Sequence, residues 1–356
     1  MTPKRVLVTG GAGFVGANLA IALAEGHADW ELLALDNLKR RGSELNLPRL
    51  RAAGVRFLHG DVREPGDLLG LEPVDAVVEC SAEPSVLAGL GSDTSYIIAS
   101  NLVGAHNCLE LARRDSAQVI FLSTSRVYPF PALDEIAYHE SDTRFELDPE
   151  QKLPGVSAAG VSEHFPLAGP RTLYGTTKLA AELIVTEYAA AFGLRTVIDR
   201  CGVLAGPWQM GKVDQGVFTH WILSHYFRRD LRYIGYGGQG KQVRDLLHIE
   251  DLVALIDDQL LRPEHWDGVT ANVGGGTEFS LSLRETTAIC RELTGNRIDV
   301  AASSENRPGD VRIYISDCAR LARHTGWRPQ REPRQVLEDI FGWVHQNERA
   351  VLAALG

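Results

Sequence analysis

A chain of 356 residues with 36 basic and 46 acidic side chains, formally −10 at pH 7, is long enough for one large core or two joined ones. It has no basic field with which to hold a nucleic-acid backbone or an anionic membrane, and no apolar stretch of bilayer length, which predicts a cytoplasmic protein. Its five cysteines (Cys80, Cys108, Cys201, Cys290, Cys318) are odd in number without CxxC spacing, and its eleven histidines form no HExxH pair, so neither a disulfide framework nor a metal site is expected.

From the N-terminus, short β-branched runs alternate with helical patterns. RVLVT (5–9) reads as the first strand, and VLVTGGAGFVG places Gly10, Gly13 and Gly16 between it and the amphipathic segment ANLAIALAEG. A dinucleotide pyrophosphate suits such a helix N-terminus, where free N–H groups and about half a positive charge face it; Phe14 and Val15 belong to the same turn. The second strand, ELLALD (31–36), ends in Asp36, twenty residues after Gly16, where a carboxylate accepts ribose hydroxyls of NAD and repels the 2′-phosphate of NADP. Lys39, Arg40 and Arg41 stand close enough to blunt that preference, and Asn37 and Arg40 join the expected cofactor set. After the third strand, VRFLHG (55–60), Asp61 and Val62 are expected on the adenine side. AVVEC (76–80) is the fourth strand; it runs into SAEPS, with Ser81 and Ala82 as cofactor contacts and Glu83 as a candidate substrate contact.

The fifth strand, VIFLS (119–123), leads into STSRVY (123–128); TVIDR (196–200) is the sixth, and GVTANVGGG (268–276) reads as a return to the sheet. Runs this apolar are buried on both faces, which predicts an α/β fold, a doubly wound parallel Rossmann sheet. Residues 139–172, with four prolines, read as an irregular loop over a functional face. Beyond residue 201 the alternation breaks into aromatic and glycine-rich stretches such as YIGYGGQGKQ. The expected division is a cofactor domain of residues 1–200 plus about 245–275, and a smaller interleaved substrate domain of 201–244 plus 276–356. Tyr174 and Lys178, four apart in a predicted helix over 174–192, share one face. For a tyrosine to take a proton near neutral pH, its pKa must fall from about 10 by some three units, about 4 kcal/mol, which Lys178 and a cationic nicotinamide ring would supply.

TGGAGFVG, NLVGAHN, STSRVY, YGTTK, GKQVRDLLHIEDL, RPGDVR and GWRP, in this order and spacing, resemble the extended short-chain dehydrogenase/reductase family over nearly the whole chain. The resemblance implies NAD as cofactor and a catalytic triad of Thr124, Tyr174 and Lys178. In it Thr124 hydrogen-bonds the reacting oxygen, Tyr174 is base and then acid, and Lys178 holds the nicotinamide ribose. It also implies a cofactor-side place for Ser123 and, for Asn101 on the preceding helix, a supporting role at the cofactor site. Dehydrating members carry Asp-Glu directly after the catalytic Thr and decarboxylating members keep a Glu at the second position; here Ser125 and Arg126 stand there. What remains is reversible oxidation of one carbinol carbon, as in an epimerase.

DNLKRRGSELNL (36–47), DQGVFTHW (214–221), GKQVRDLLH (240–248) and the tail from Arg307 resemble members that invert C2 of a CDP-linked sugar, so a nucleotide-diphosphate sugar is the implied substrate, CDP favoured. Arg244 and Arg307 match pyrophosphate clamps, work that suits guanidinium forks, with a structural ion pair as the alternative. Gln209, Asp214 and Gln215 are further candidate substrate contacts, and Glu83 and Arg126 either pair with each other or touch the sugar. Helices at about 102–114 and 174–192 lie where the family builds a dimer interface, implying a homodimer or homotetramer. A 4-epimerase, a decarboxylase or dehydratase, and a net oxidoreductase share this fold. A non-catalytic NAD-bound scaffold is the alternative of another class, and the intact triad argues against it.

Overall fold

The computed structural model describes residues 4–91, 93–211 and 215–355. Its central sheet has seven parallel strands: β1 (Arg5–Thr9), β2 (Glu31–Asp36), β3 (Arg56–His59), β4 (Ala76–Glu79), β5 (Gln118–Thr124), β6 (Thr196–Cys201) and β7 (Val269–Val273). The spatial order is β7-β6-β5-β4-β1-β2-β3. Alternate residues of each strand face opposite sides. Val6 and Val8 pack under α1 (Phe14–Gly26), while Leu7 between them packs with α2 (Gly104–Asp115) and α3 (Leu173–Phe192). A further helix, α4 (Ile249–Leu261), covers the α1 face through Leu252, Leu255 and Ile256. Each such fully buried Leu, Ile or Val is worth about 1.5–3 kcal/mol over exposure, which is why unbroken apolar runs became strands here.

The register aligns the strand ends. Thr9 lies opposite Leu35 and Glu79, Glu79 opposite Phe121, and Thr124 opposite Cys201. The carboxyl ends of β1, β2, β4 and β5 therefore form one edge, and the winding reverses between β1 and β4, where an α/β sheet opens its ligand crevice.

A second lobe stands over that edge. Val243–His248 pairs with Val203–Ala205, Ser280–Ser282 and Ile313–Tyr314, and Leu231–Ile234 pairs with Val300–Ser303. Helices Val217–Tyr226, Leu283–Thr294 and Pro333–Gln346 close around Trp221, Cys290, Ile340 and Trp343.

Residues 139–172 are not the irregular loop expected. Tyr138–Glu140 pairs with Phe145–Leu147 and Val156–Ser157 with Gly160–Val161, two small hairpins. The second is stitched to the sheet: Asn272 on β7 donates to the Val161 carbonyl at 2.8 Å, and a side chain at Gly160, φ +117°, would strike the Ile315 carbonyl at 2.4 Å. Strands of two and three residues are too short for a periodicity to reveal. Among the described residues no helix is long and apolar enough to cross a membrane, and no group of His, Cys, Asp or Glu would hold a metal ion. All five cysteines are free thiols.

Candidate active site

A cleft of about 1030 Å³ runs along the carboxyl edge from the glycine turn to the second lobe. At its floor the chain must leave β1 and enter α1 in almost no space. Gly10 has φ +60°, and a Cβ at Gly16 would lie 2.3 Å from the Gly10 carbonyl oxygen. The helix begins at Gly13 with no side-chain cap. Gly13, Phe14, Val15 and Gly16 thus bring the N-terminus of α1 to the cleft wall, a cradle fitted to a pyrophosphate.

At the end of β2 the Asp36 carboxylate accepts N–H bonds from Ala12 (3.1 Å) and Leu38 (2.7 Å), and burial raises its pKa. A carboxylate has about four acceptor positions, so capacity remains for a ribose hydroxyl. The three neighbouring cations line the cleft and are already engaged. Lys39 lies over the Tyr96 ring at 3.8 Å, Arg40 donates to Gln215 and to the Met210 carbonyl, and Arg41 donates to the Ala353 carbonyl at 2.8 Å. Asn37 donates to Asp61 (2.8 Å), whose pKa the Arg63 guanidinium holds down at about 2; Val62, Ser81 and Ala82 complete this wall. Asn101 does not line it. It sits in the π-helical turn Ala99–Val103, 1 % exposed, bonded to both backbone polar groups of Glu83 and to the Thr177 hydroxyl, and so holds the loop after β4 rather than a ligand.

Tyr174 occupies the first turn of α3, where Thr172 caps the helix by accepting the Gly175 N–H. A Cβ at Gly175 would lie 2.0 Å from the Arg126 carbonyl oxygen, so glycine alone lets the helix start abut the turn after β5. That contact sets Tyr174 beside Thr124, whose side chain acts to lower the phenol's pKa and whose hydroxyl accepts the Arg126 N–H at 3.2 Å. The expected acidification of Tyr174 is not built into the protein alone. Burial pushes its pKa up to about 12, with Thr124 and Arg126 acting to lower it and Glu79 to raise it. Lys178, 1 % exposed, is not in the cleft wall; its Nζ lies 3.1 Å from Glu79 Oε2 and 3.9 Å from the Phe121 ring centroid. Sequence reasoning missed Glu79, although an acid ending the otherwise apolar run AVVE was a signal; it also missed Tyr96, which no local pattern marks.

Ser123 donates to Glu182, itself paired with Arg200 at 2.7 Å, so its hydroxyl serves the layer beneath the site. Ser125, Arg126, Glu83, Arg244 and Arg307 line the cleft. Glu83 and Arg126 do not pair: Glu83 accepts the Ser85 N–H, while Arg126 donates to the Gly309 carbonyl at 2.9 Å. Arg244 makes the structural ion pair weighed against a clamp, at 2.6 Å from Asp310. Gln209 is held between the Leu204 carbonyl and the Thr219 hydroxyl, and Gln215 meets Arg40 across the cleft. Asp214 lies outside the described residues.

The comparisons agree with this architecture. The model of the NAD dependent epimerase/dehydratase family matches residues 6–274. The chain is 30 % identical to CDP-paratose 2-epimerase of Salmonella typhi, covering 96 % of this chain and 99 % of that protein. To dTDP-glucose 4,6-dehydratase of Mycolicibacterium smegmatis it is 29 % identical, over 97 % and 94 % of the two chains. The crystal structure of the Thermus thermophilus UDP-glucose 4-epimerase complex with NAD superposes with a TM-score of 0.75 at 25 % identity, over 96 % and 99 %. With a glycine turn, an acid at the end of β2 and Thr124 and Tyr174 on one parallel sheet edge, the chain belongs to the NAD-dependent epimerase/dehydratase family and is an enzyme that works with NAD.

Proposed function

We propose that this protein is an epimerase of a nucleotide-activated sugar, most closely a CDP-linked one, inverting C2. The observation that carries the reading is the residue pair after Thr124. Ser125 and Arg126 line the cleft there, so that strand end offers no carboxylate for the elimination or decarboxylation that related enzymes would perform. The likeness to CDP-paratose 2-epimerase supports the same carbon and base. NAD supplies a hydride acceptor that becomes the donor when the hydride returns. Thr124 and Tyr174 hold the reacting hydroxyl; Tyr174 takes its proton as the carbon is oxidised and gives it back after the ketone has turned its other face. Arg307, and Arg244 once released from Asp310, supply positive charge for the diphosphate. In this reading residues 1–200 with about 245–275 serve the cofactor and the remainder serves the sugar. A homodimer through α2 and α3 is supported by the exposed Leu183 and Phe192.

Incubation with CDP-, UDP- and GDP-hexoses, followed by NMR of the sugar, tests the reading. Inversion at C2 is the expected result; loss of water or carbon dioxide, or inversion only at C4, would overturn it. Tyr174→Phe is expected to abolish turnover with bound NAD retained.

A further inference from the structure

We propose that the buried Glu182–Arg200 pair is a positioning device: it grips both ends of Ser123–Tyr128 together with the helix that carries Tyr174, and so fixes Thr124 against Tyr174. The proposal rests on Thr124 and Tyr174 holding the reacting hydroxyl. Glu182 lies on α3, the helix that begins beside Tyr174, and Arg200 lies on β6 opposite Ser123. They are 3 % and 6 % exposed. Every nitrogen of the guanidinium is used. Nε donates to both Glu182 oxygens at 3.1 and 3.2 Å, Nη2 donates to Oε2 at 2.7 Å, and Nη1 donates to the Tyr128 hydroxyl at 3.3 Å. From the other side Ser123 donates to Glu182 Oε1 at 2.5 Å. One end of STSRVY is therefore held by the acid and the other by the arginine, with Thr124 between them. The Tyr128 hydroxyl donates in turn to Asn272 on β7 at 2.7 Å, which anchors the arginine end to a third strand.

Two contacts then set α3 against the end of β5. Gly175 abuts the Arg126 carbonyl at the helix start, and Glu182 meets Ser123 about 10 Å further along the axis. A single contact leaves a helix free to pivot. Two so spaced fix its direction, and with it the place of Tyr174 relative to Thr124. Apolar side chains at this depth would stabilise the fold as well or better, because a buried ion pair contributes little beyond its desolvation cost. What they would not supply is direction: apolar contact is indifferent to angle, whereas a hydrogen bond weakens steeply below about 120°. Where a misplacement of about 1 Å costs about 100-fold in rate, that direction is the pair's contribution.

The test compares the double variant Glu182→Leu/Arg200→Met, in which no buried charge is stranded, with wild type in the NAD-loaded protein. Its urea midpoint and its affinity for NAD should stay close to wild type. Hydrogen exchange, measured without substrate, should quicken about tenfold in peptides spanning 123–128 and 173–178. With a CDP-hexose, kcat should fall about 100-fold while KM changes little. A folded double variant with wild-type kcat, or with wild-type exchange in those peptides, would show a merely structural pair and overturn the proposal. If the double variant does not fold, Ser123→Ala and Tyr128→Phe, each of which releases one end, carry the same test. Each should lower kcat about tenfold, and unchanged kcat and exchange in both would overturn the proposal. Turnover surviving in Tyr174→Phe would refute the choice of reacting groups, and the exchange measurement distinguishes that failure from a failure of the grip.

Discussion

Asp199, on β6 beneath the site, offers a stability effect whose size follows from its surroundings. It is 0 % exposed; Oδ1 accepts the Gln259 side-chain amide at 3.0 Å and Oδ2 has no partner. Burial raises its pKa from 3.8 to about 7. An acid whose folded pKa is raised binds its proton more tightly in the native state, so stability declines as pH climbs from the unfolded value to the folded one and is flat beyond. Three units at ~1.4 kcal/mol each make the penalty about 4 kcal/mol, of which about 3 falls between pH 5 and pH 8. Asp199→Asn keeps the shape and removes the charge. Its new N–H₂ sits in a cluster that already has two unpartnered acceptors, Gln118 Oε1 and Gln259 Oε1. Urea unfolding at both pH values should show the variant gaining about 3 kcal/mol on wild type between pH 5 and pH 8. A stability difference that is the same at both would refute the assignment of a buried, late-titrating carboxyl.

Three further outcomes follow from the geometry. Gly175→Ala would place a Cβ 2.0 Å from the Arg126 carbonyl oxygen, displacing Tyr174 from Thr124; kcat should fall about 100-fold with circular dichroism unchanged, and an unaltered kcat would contradict the contact. Arg200→Met would strand the Glu182 carboxylate, 3 % exposed, at a cost of about 3–5 kcal/mol in denaturant unfolding, and adding Glu182→Leu should restore most of it. Asp36→Ala should weaken NAD binding about tenfold in calorimetry while leaving NADP binding level or better, since the repelling carboxylate is gone; equal losses for both cofactors would argue against a ribose contact.

What was legible in the sequence was what neighbours in the chain decide. Six strands showed as short β-branched runs and the seventh as a return to the sheet, because both faces of the sheet's centre are covered. The edge strand β3, exposed at Arg56 and His59, is the exception to the expected burial on both faces. The glycine turn with Asp36 and the Tyr174–Lys178 spacing showed because each is set within one βαβ unit or one helical turn. What distant residues decide stayed hidden. Lys178 meets Glu79 across 99 residues and Arg40 meets Gln215 across 175, so neither orientation follows from local pattern. Asn101 sits in a π-helical turn, a backbone state that no residue type announces. Arg244 fits a clamp and an ion pair equally by type, and the pairing with Asp310 at 2.6 Å depends on a residue 66 positions away that no local pattern marks.

The central claim is that a hydride leaves the sugar and returns to the same carbon without passing through water. Its most direct test uses a CDP-hexose deuterated at C2, incubated with the NAD-loaded enzyme in ordinary water until the two epimers equilibrate, then read by NMR and mass spectrometry. The account predicts an inverted C2 that keeps its deuterium. Replacement of that deuterium by hydrogen from solvent would mean proton abstraction at carbon and would contradict it.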